Sequence, residues 1–318
     1  MNWDRRVRAA VVRRLRGPYQ SLGRLDARLH ELSSLVADAR TMLTELQATV
    51  SELRAVGAET RDLLGGEIDA MLRALATEEA ANRRRLYRLR AREDYETAWT
   101  HPRPRVTVTV ATRDRPQLLR DRSLPSILAQ TYTELEVIVV GDHAGADTAE
   151  AVSALADPRV TYANLSQRLP LGDDPAKTWL VAATLPRNEA MRLATGHWLV
   201  CFDDDDAMRP DCIERLLGAA RERRLEAVYG RARLHRAGEP PFEIGVFPPE
   251  RGRFALASGM YHAGLRFFER ELFAADLGVP GDWFLAERML RAGVRFGMVD
   301  EVLVDLFPSA RNAVRPDL

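Results

Sequence analysis

Lysine is all but missing: of the 46 Lys plus Arg residues only Lys177 is a lysine, and 46 Asp plus Glu bring the formal net charge to zero. A chain so balanced is neither a generally basic nucleic-acid binder nor an acidic tail protein. The arginine bias reads more simply as the codon usage of a GC-rich genome than as a set of anion contacts. Cysteine is scarce as well. Cys201 and Cys212 are too few for a disulfide framework or a four-ligand zinc site, so a reducing, cytoplasmic setting is expected. Absent altogether is any run near the roughly 18 apolar residues of a membrane span. The N-terminus also lacks the apolar core and cleavage site of a signal peptide. The expectation is a soluble protein, at most peripheral at the inner face of a membrane. What is present is 318 residues with 46% apolar side chains, enough for about two domains.

The chain divides near residue 100. Over Leu25, Leu29, Leu32, Val36, Ala39, Leu43, Leu46, Val50 and Leu53, and on to Leu64, apolar residues recur at spacings of four and three. Leu29, Val36, Leu43, Val50 and Leu64 occupy heptad position a, with Leu25, Leu32, Leu46 and Leu53 at d, a pattern that leans toward two parallel strands. Residues 1–100 are therefore expected to be an all-α coiled-coil region that makes a homodimer; an intramolecular hairpin is the other arrangement open to it. Gly65-Gly66 should break or kink the helix, with a second helix following from Ile68. Residues 1–16 carry six arginines against one acid, with Trp3, Val7, Val11 and Leu15 at helical spacing. Such a segment suits either an anionic membrane surface or a solvated helix end. The prolines of His101-Pro102-Arg103-Pro104 mark an extended joint.

From residue 101 to 318 the texture is α/β. Strands are expected at Val106–Val110, Glu136–Val140, Arg159–Asn164 and His197–Phe202, with helix-like segments between them. That alternation implies a mostly parallel central sheet with helices on both faces, and ligands beyond the carboxyl ends of its strands. Strand one ends at Thr112, strand two at Gly141-Asp142 and strand four at Asp203-Asp204-Asp205-Asp206. Four successive carboxylates need a cation or hydrogen-bond donors, and hard oxygen ligands favour Mg²⁺ or Mn²⁺. The plainer alternative is a solvated turn in which Asp206 or Asp211 caps the next helix.

Residues 105–141, Pro186-Arg187-Asn188-Glu189-Ala190, Ala194-Thr195-Gly196-His197-Trp198, Phe202-Asp203-Asp204-Asp205-Asp206 and Gly281-Asp282-Trp283 together resemble the family 2 glycosyltransferases. The resemblance covers about residues 104–305. It implies a GT-A nucleotide-diphospho-sugar transferase fold and an inverting, metal-dependent enzyme that moves a sugar from a nucleotide diphosphate donor to an acceptor hydroxyl. On it, Asp142 and Thr112 fall in the nucleotide pocket and Arg187 near the diphosphate. Asp203-Asp204-Asp205 matches the D-x-D motif, with Asp204 near the ribose and Asp205 holding Mn²⁺ or Mg²⁺. Asp282 matches the catalytic base.

Two departures are visible. Gly141-Asp142-His143-Ala144-Gly145 keeps one carboxylate where the family usually shows two, and Gly281 replaces the acid that commonly precedes the base. His262 is either a contact on the acceptor side or a buried structural residue. A nucleotidyltransferase of related architecture would need a Gly-rich phosphate loop after strand one, and Thr112–Gln117 has no glycine. An inactive transferase-like domain on a coiled-coil scaffold would have no use for the acids at 203–205 and 282. The insertion Ser166–Trp179 has the composition of a lid loop.

Overall fold

The computed structural model describes the backbone of residues 3–168 and 175–307, with side chains at 28–57, 65, 75–168 and 177–307. The basic segment 1–16, expected to meet a membrane surface, and residues 169–174 of the expected lid lie outside the described side chains. Packing divides the chain into two units, Met1–Leu75 and Ala76–Leu318.

From Trp3 onward the described residues of the first unit belong to the helix α1, Trp3–Arg90. The expected break at Gly65-Gly66 does not occur. A mid-helix glycine costs about 1 kcal/mol relative to alanine, which long flanking runs of Leu, Arg, Glu and Ala can absorb. Within this unit the heptad residues Leu29, Leu32, Val36, Leu43, Leu46 and Leu53 are more than half exposed. Polar residues among them satisfy their hydroxyls locally, as Ser33 and Thr44 donate to the carbonyls four residues back.

The second unit starts upstream of the proline joint. Leu86 and Leu89 in the last turns of α1, and Tyr95, Ala98 and Trp99 after it, belong to the same buried core as the sheet. Arg90 makes a two-pronged contact with the buried Glu226 at 2.8 and 2.7 Å. Tyr95 Oη donates to the same carboxylate at 2.5 Å, and Trp99 Nε1 donates to Leu225 O at 3.0 Å.

Among the described residues nine strands form one sheet. They are β1 Val106–Thr112, β2 Leu135–Gly141, β3 Val160–Asn164, β4 Trp198–Asp203, β5 Ala207–Met208, β6 Ala227–Leu234, β7 Phe242–Ile244, β8 Gly259–His262 and β9 Phe296–Leu306. Their order is β3-β2-β1-β4-β8-β6-β9-β5, with β7 paired to β6. The first four are mutually parallel, and β8 inserts antiparallel between β4 and β6. All seven residues of β1 are buried, as expected for a central parallel strand rich in Val and Thr and covered on both faces. The helix Thr184–Leu193 packs on β1 and β2, and Cys212–Glu222 packs on β6, β8 and β9.

A close approach explains one glycine. A Cβ on Gly196 would lie 2.9 Å from both the Arg105 carbonyl and the Thr107 nitrogen, so only glycine lets β4 begin beside β1. The register then sets Thr112 beside Gly141 and Ala111 beside Asp203, which brings three strand ends into line.

Candidate active site

The strand-end acids are not a solvated turn. Asp204, Asp205 and Asp206 are all nearly buried, and Asp211 makes no capping hydrogen bond to the helix Cys212–Glu222. Thr112 Oγ1 donates to Asp204 Oδ2 at 2.8 Å. Arg115 Nη1 reaches both Asp204 Oδ1 at 3.0 Å and Asp205 Oδ2 at 2.8 Å. Ser123 Oγ and Arg122 Nη1 donate to the carbonyls of Asp203 and Asp205, and Asp206 Oδ1 accepts from the Phe307 amide at 2.8 Å. Arg187 pairs with the Asp203 carboxylate.

Charge in this cluster is uneven. Burial pushes Asp203 up, but attraction to Arg187 and its hydrogen bond overrule that and hold the carboxyl below the usual range. Asp205 goes the other way. Burial, then repulsion from Asp203 and Asp204, raises it to about 6. Asp204 and Asp206 are raised for the same first reason, burial. Burial and crowding thus disfavour the ionised forms of Asp205 and Asp206, with Arg115 beside Asp204 and Asp205 as partial relief. A divalent ion shared with a diphosphate takes only one or two protein carboxylates, so the donor set at Asp203–Asp205 fits such an ion. No group of three or more His, Cys, Asp or Glu side chains is arranged for a metal among the described residues.

Asp142 follows β2, its amide donating to the Thr112 carbonyl at 2.9 Å and its carboxylate 3.9 Å from Arg113. The turn beyond it is pinned by Asn164, which exchanges two hydrogen bonds with the Ala144 backbone. Arg168 adds a hydrogen bond to the Asp142 carbonyl at 3.0 Å. Asp282 lies in the first turn of the helix Gly281–Ala292, whose N-cap is Pro280. It is therefore no ordinary cap. Its Oδ1 accepts from the neighbouring Trp283 amide at 2.8 Å, and its charge bears on both Arg187 and Arg270. The structure thus draws Thr112, Arg187, Asp203, Asp204 and Asp205 into one contact network, with Asp142 on its β2 side and Asp282 in electrostatic reach.

Sequence reasoning missed Arg115, Arg122 and Arg270. Arg115 stood next to Pro116 in the turn already noticed, a usable signal; Arg270 has no local pattern at all. His262 is structural. It is buried among Tyr95, Trp99 and Trp198, stacked on Trp99 with ring centroids 5.0 Å apart. Its Nδ1 accepts from Gly264 N at 2.9 Å, which leaves Nε2–H to donate to the Tyr95 carbonyl at 3.1 Å. Burial lowers its pKa, consistent with a neutral ring.

A sheet of this order with carboxylates beyond parallel strand ends defines a nucleotide-sugar transferase fold of GT-A type. Its likeness to S. aureus TarS 1–349 in complex with UDP shows the same fold: TM-score 0.51 at 16% identity, covering 66% of this chain and 62% of that one. The model described as Glycosyl transferase family 2 matches residues 184–273, which include Arg187, Asp203–Asp205 and Arg270. The succinoglycan biosynthesis protein ExoO of Rhizobium meliloti (strain 1021) is 32% identical over 117 residues, 37% of this chain and 30% of its own. The GalNAc(5)-diNAcBac-PP-undecaprenol beta-1,3-glucosyltransferase of Campylobacter jejuni is 28% identical over 137 residues, 42% of this chain and 40% of its own. The chain spans about a third of the length of the curated relatives it matches.

Proposed function

We propose that the chain is an inverting glycosyltransferase that moves a sugar from a nucleotide diphosphate donor to an acceptor hydroxyl. The observation that carries this reading is the convergence of Thr112, Arg187 and Asp203–Asp205 at the ends of β1 and β4, with Asp282 in electrostatic reach of Arg187. Asp142, beside Thr112, faces the base end of the nucleotide. Asp204, fixed by Thr112 and Arg115, faces the ribose. Asp205, raised by burial and by its acidic neighbours, would hold Mn²⁺ or Mg²⁺, and such an ion would stabilise the developing diphosphate charge. Arg187 lies near the diphosphate, held by Asp203. Asp282 takes the acceptor proton on the face opposite the leaving group, and a single carboxylate suffices for inversion. Such a base gains from position rather than strength, because a carboxylate is weak toward an alcohol until the proton moves late.

Release of nucleoside diphosphate from a panel of nucleotide sugars, with and without Mn²⁺, tests this. Wild type should turn over one donor in a metal-dependent way and Asp205→Ala should not. Equal activity of the two without metal would sink the reading.

A second reading concerns the first unit. The exposed heptad stripe from Leu29 to Leu53 has its apolar side chains more than half in solvent in a single chain, apart from Val50 at 39% exposure. A parallel two-stranded coiled coil with a second copy covers such a stripe, with Val at two a positions and Leu at d.

A further inference from the structure

Among the described residues, Arg288 and Arg270 are buried and Arg90 and Arg187 partly so; all but Arg270 meet an acidic side chain. Arg288 meets Glu78, Glu271 at 2.8 Å and the Glu269 carbonyl. Arg90 meets Glu226, and Arg187 meets Asp203. Arg270 is different. It is 8% exposed, its Nε has no partner, and its guanidinium makes no hydrogen bond or ion pair among the described residues.

Its place is nevertheless fixed. The Arg270 amide donates to Asn188 Oδ1 at 2.9 Å, and Asn188 Nδ2 donates back to the Arg270 carbonyl at 2.9 Å. Asn188 directly follows Arg187, so one dipeptide sets both arginines. The Arg270 pKa is lowered by burial first and by the positive charge of Arg187 second, and the charge of Asp282 only partly offsets this. A buried cation with no carboxylate in direct contact is expensive, and one that a fold retains points to a charge supplied from outside. Gly281 explains how the cation is kept without a partner. A Cβ there would lie 3.8 Å from Arg270 Nη1, so an acid at 281 would sit against the guanidinium.

We propose that Arg270 is a second arginine for the diphosphate of the donor, set beside Arg187 through Asn188 and left without a carboxylate partner by Gly281. This rests on the donor reading above. The diphosphate is favoured over an anionic acceptor because Arg270 is tied to Arg187, which pairs with the strand-end Asp203. Two arginines spread over two phosphates would meet the charge that grows on the leaving group.

Calorimetric titration in Mn²⁺ buffer with UDP, GDP, their nucleosides and inorganic pyrophosphate tests the assignment. Arg270→Gln should bind pyrophosphate and the preferred nucleoside diphosphate at least tenfold more weakly than wild type, with nucleoside binding unchanged. Arg270→Lys should recover part of the loss. Gly281→Asp, which keeps Arg270 but gives it a carboxylate, should show the same phosphate-selective weakening. Arg270→Gln should melt no lower than wild type, since it removes an unpaired buried cation. Pyrophosphate binding equal to wild type in Arg270→Gln overturns the proposal, as does an equal loss of nucleoside and pyrophosphate binding together with a lower melting temperature. An effect on acceptor KM alone also overturns it and points to an anionic acceptor. A wild-type protein that binds no nucleoside diphosphate defeats the donor reading itself, and this assignment with it.

Discussion

Thr112 Oγ1 donates a 2.8 Å hydrogen bond to Oδ2 of Asp204, joining the last residue of β1 to the first residue beyond β4. Both partners are nearly buried, and Arg115 takes the other oxygen, so Asp204 is held in one orientation. Thr112→Val keeps the shape of the side chain and removes the donor. It should cost about 1–3 kcal/mol of stability, the penalty for a buried acceptor left short of a partner. Donor KM should rise several-fold with less change in kcat, which thermal unfolding and steady-state kinetics will show.

Asp282 carries a prediction of the opposite kind. Asp282→Asn preserves size and the contact with the Trp283 amide. Turnover should fall by about 10²–10⁴-fold, the usual worth of a positioned base. Donor affinity, measured by calorimetry, should stay within a factor of two or so of wild type on the same argument. A matching collapse of donor affinity would contradict the assigned role.

Glu226 should govern part of the acid limb of stability. Burial pushes its carboxyl up, but hydrogen bonds from Arg90, Tyr95 and the Arg295 amide hold it below its ordinary value of 4.5. A depressed folded-state pKa means that the stabilisation is complete above the unfolded value and is lost as pH falls below it. Glu226→Gln should destabilise by about 3–5 kcal/mol at pH 7, because two arginines lose a buried counter-ion. Below about pH 4 the gap between mutant and wild type should narrow, as urea titrations at several pH values would reveal.

If the first unit pairs with a second copy, Leu32→Asp with Leu46→Asp places charges at two d positions of the seam. Light scattering should then report a dimer for wild type and a monomer for the double variant. The melting of the second unit should be unaffected, since neither residue belongs to its core.

Much of the α/β half was legible from residues. The runs of Val, Ile and Thr at 106–110 and 136–140 lie within observed strands, bounded by polar turns that end them. The strand-end acids were legible for the same reason: a buried strand that stops in four aspartates needs compensation. The later sheet was not legible. β8 enters antiparallel between β4 and β6, and β9 runs parallel to β6, so its partners are settled by packing between segments far apart in sequence. Arg270 was hidden for that reason, since its importance depends on Asn188, 82 residues earlier. Gly65-Gly66 failed in the other direction. A local penalty of about 1 kcal/mol per glycine was read as a stop, whereas a long helix tolerates it.

The anchoring of α1 by Glu226 bears on how such a protein can be rearranged over evolutionary time. A second unit trimmed to the proline joint would lose Arg90, Tyr95 and Trp99 together, exposing an ion and the apolar floor beneath it. A splice point for exchanging one N-terminal extension for another therefore lies inside the helix just before Ala76, where the first unit ends and the second begins. Any new extension joined there inherits a helical end, so the architecture favours grafts that are themselves helices.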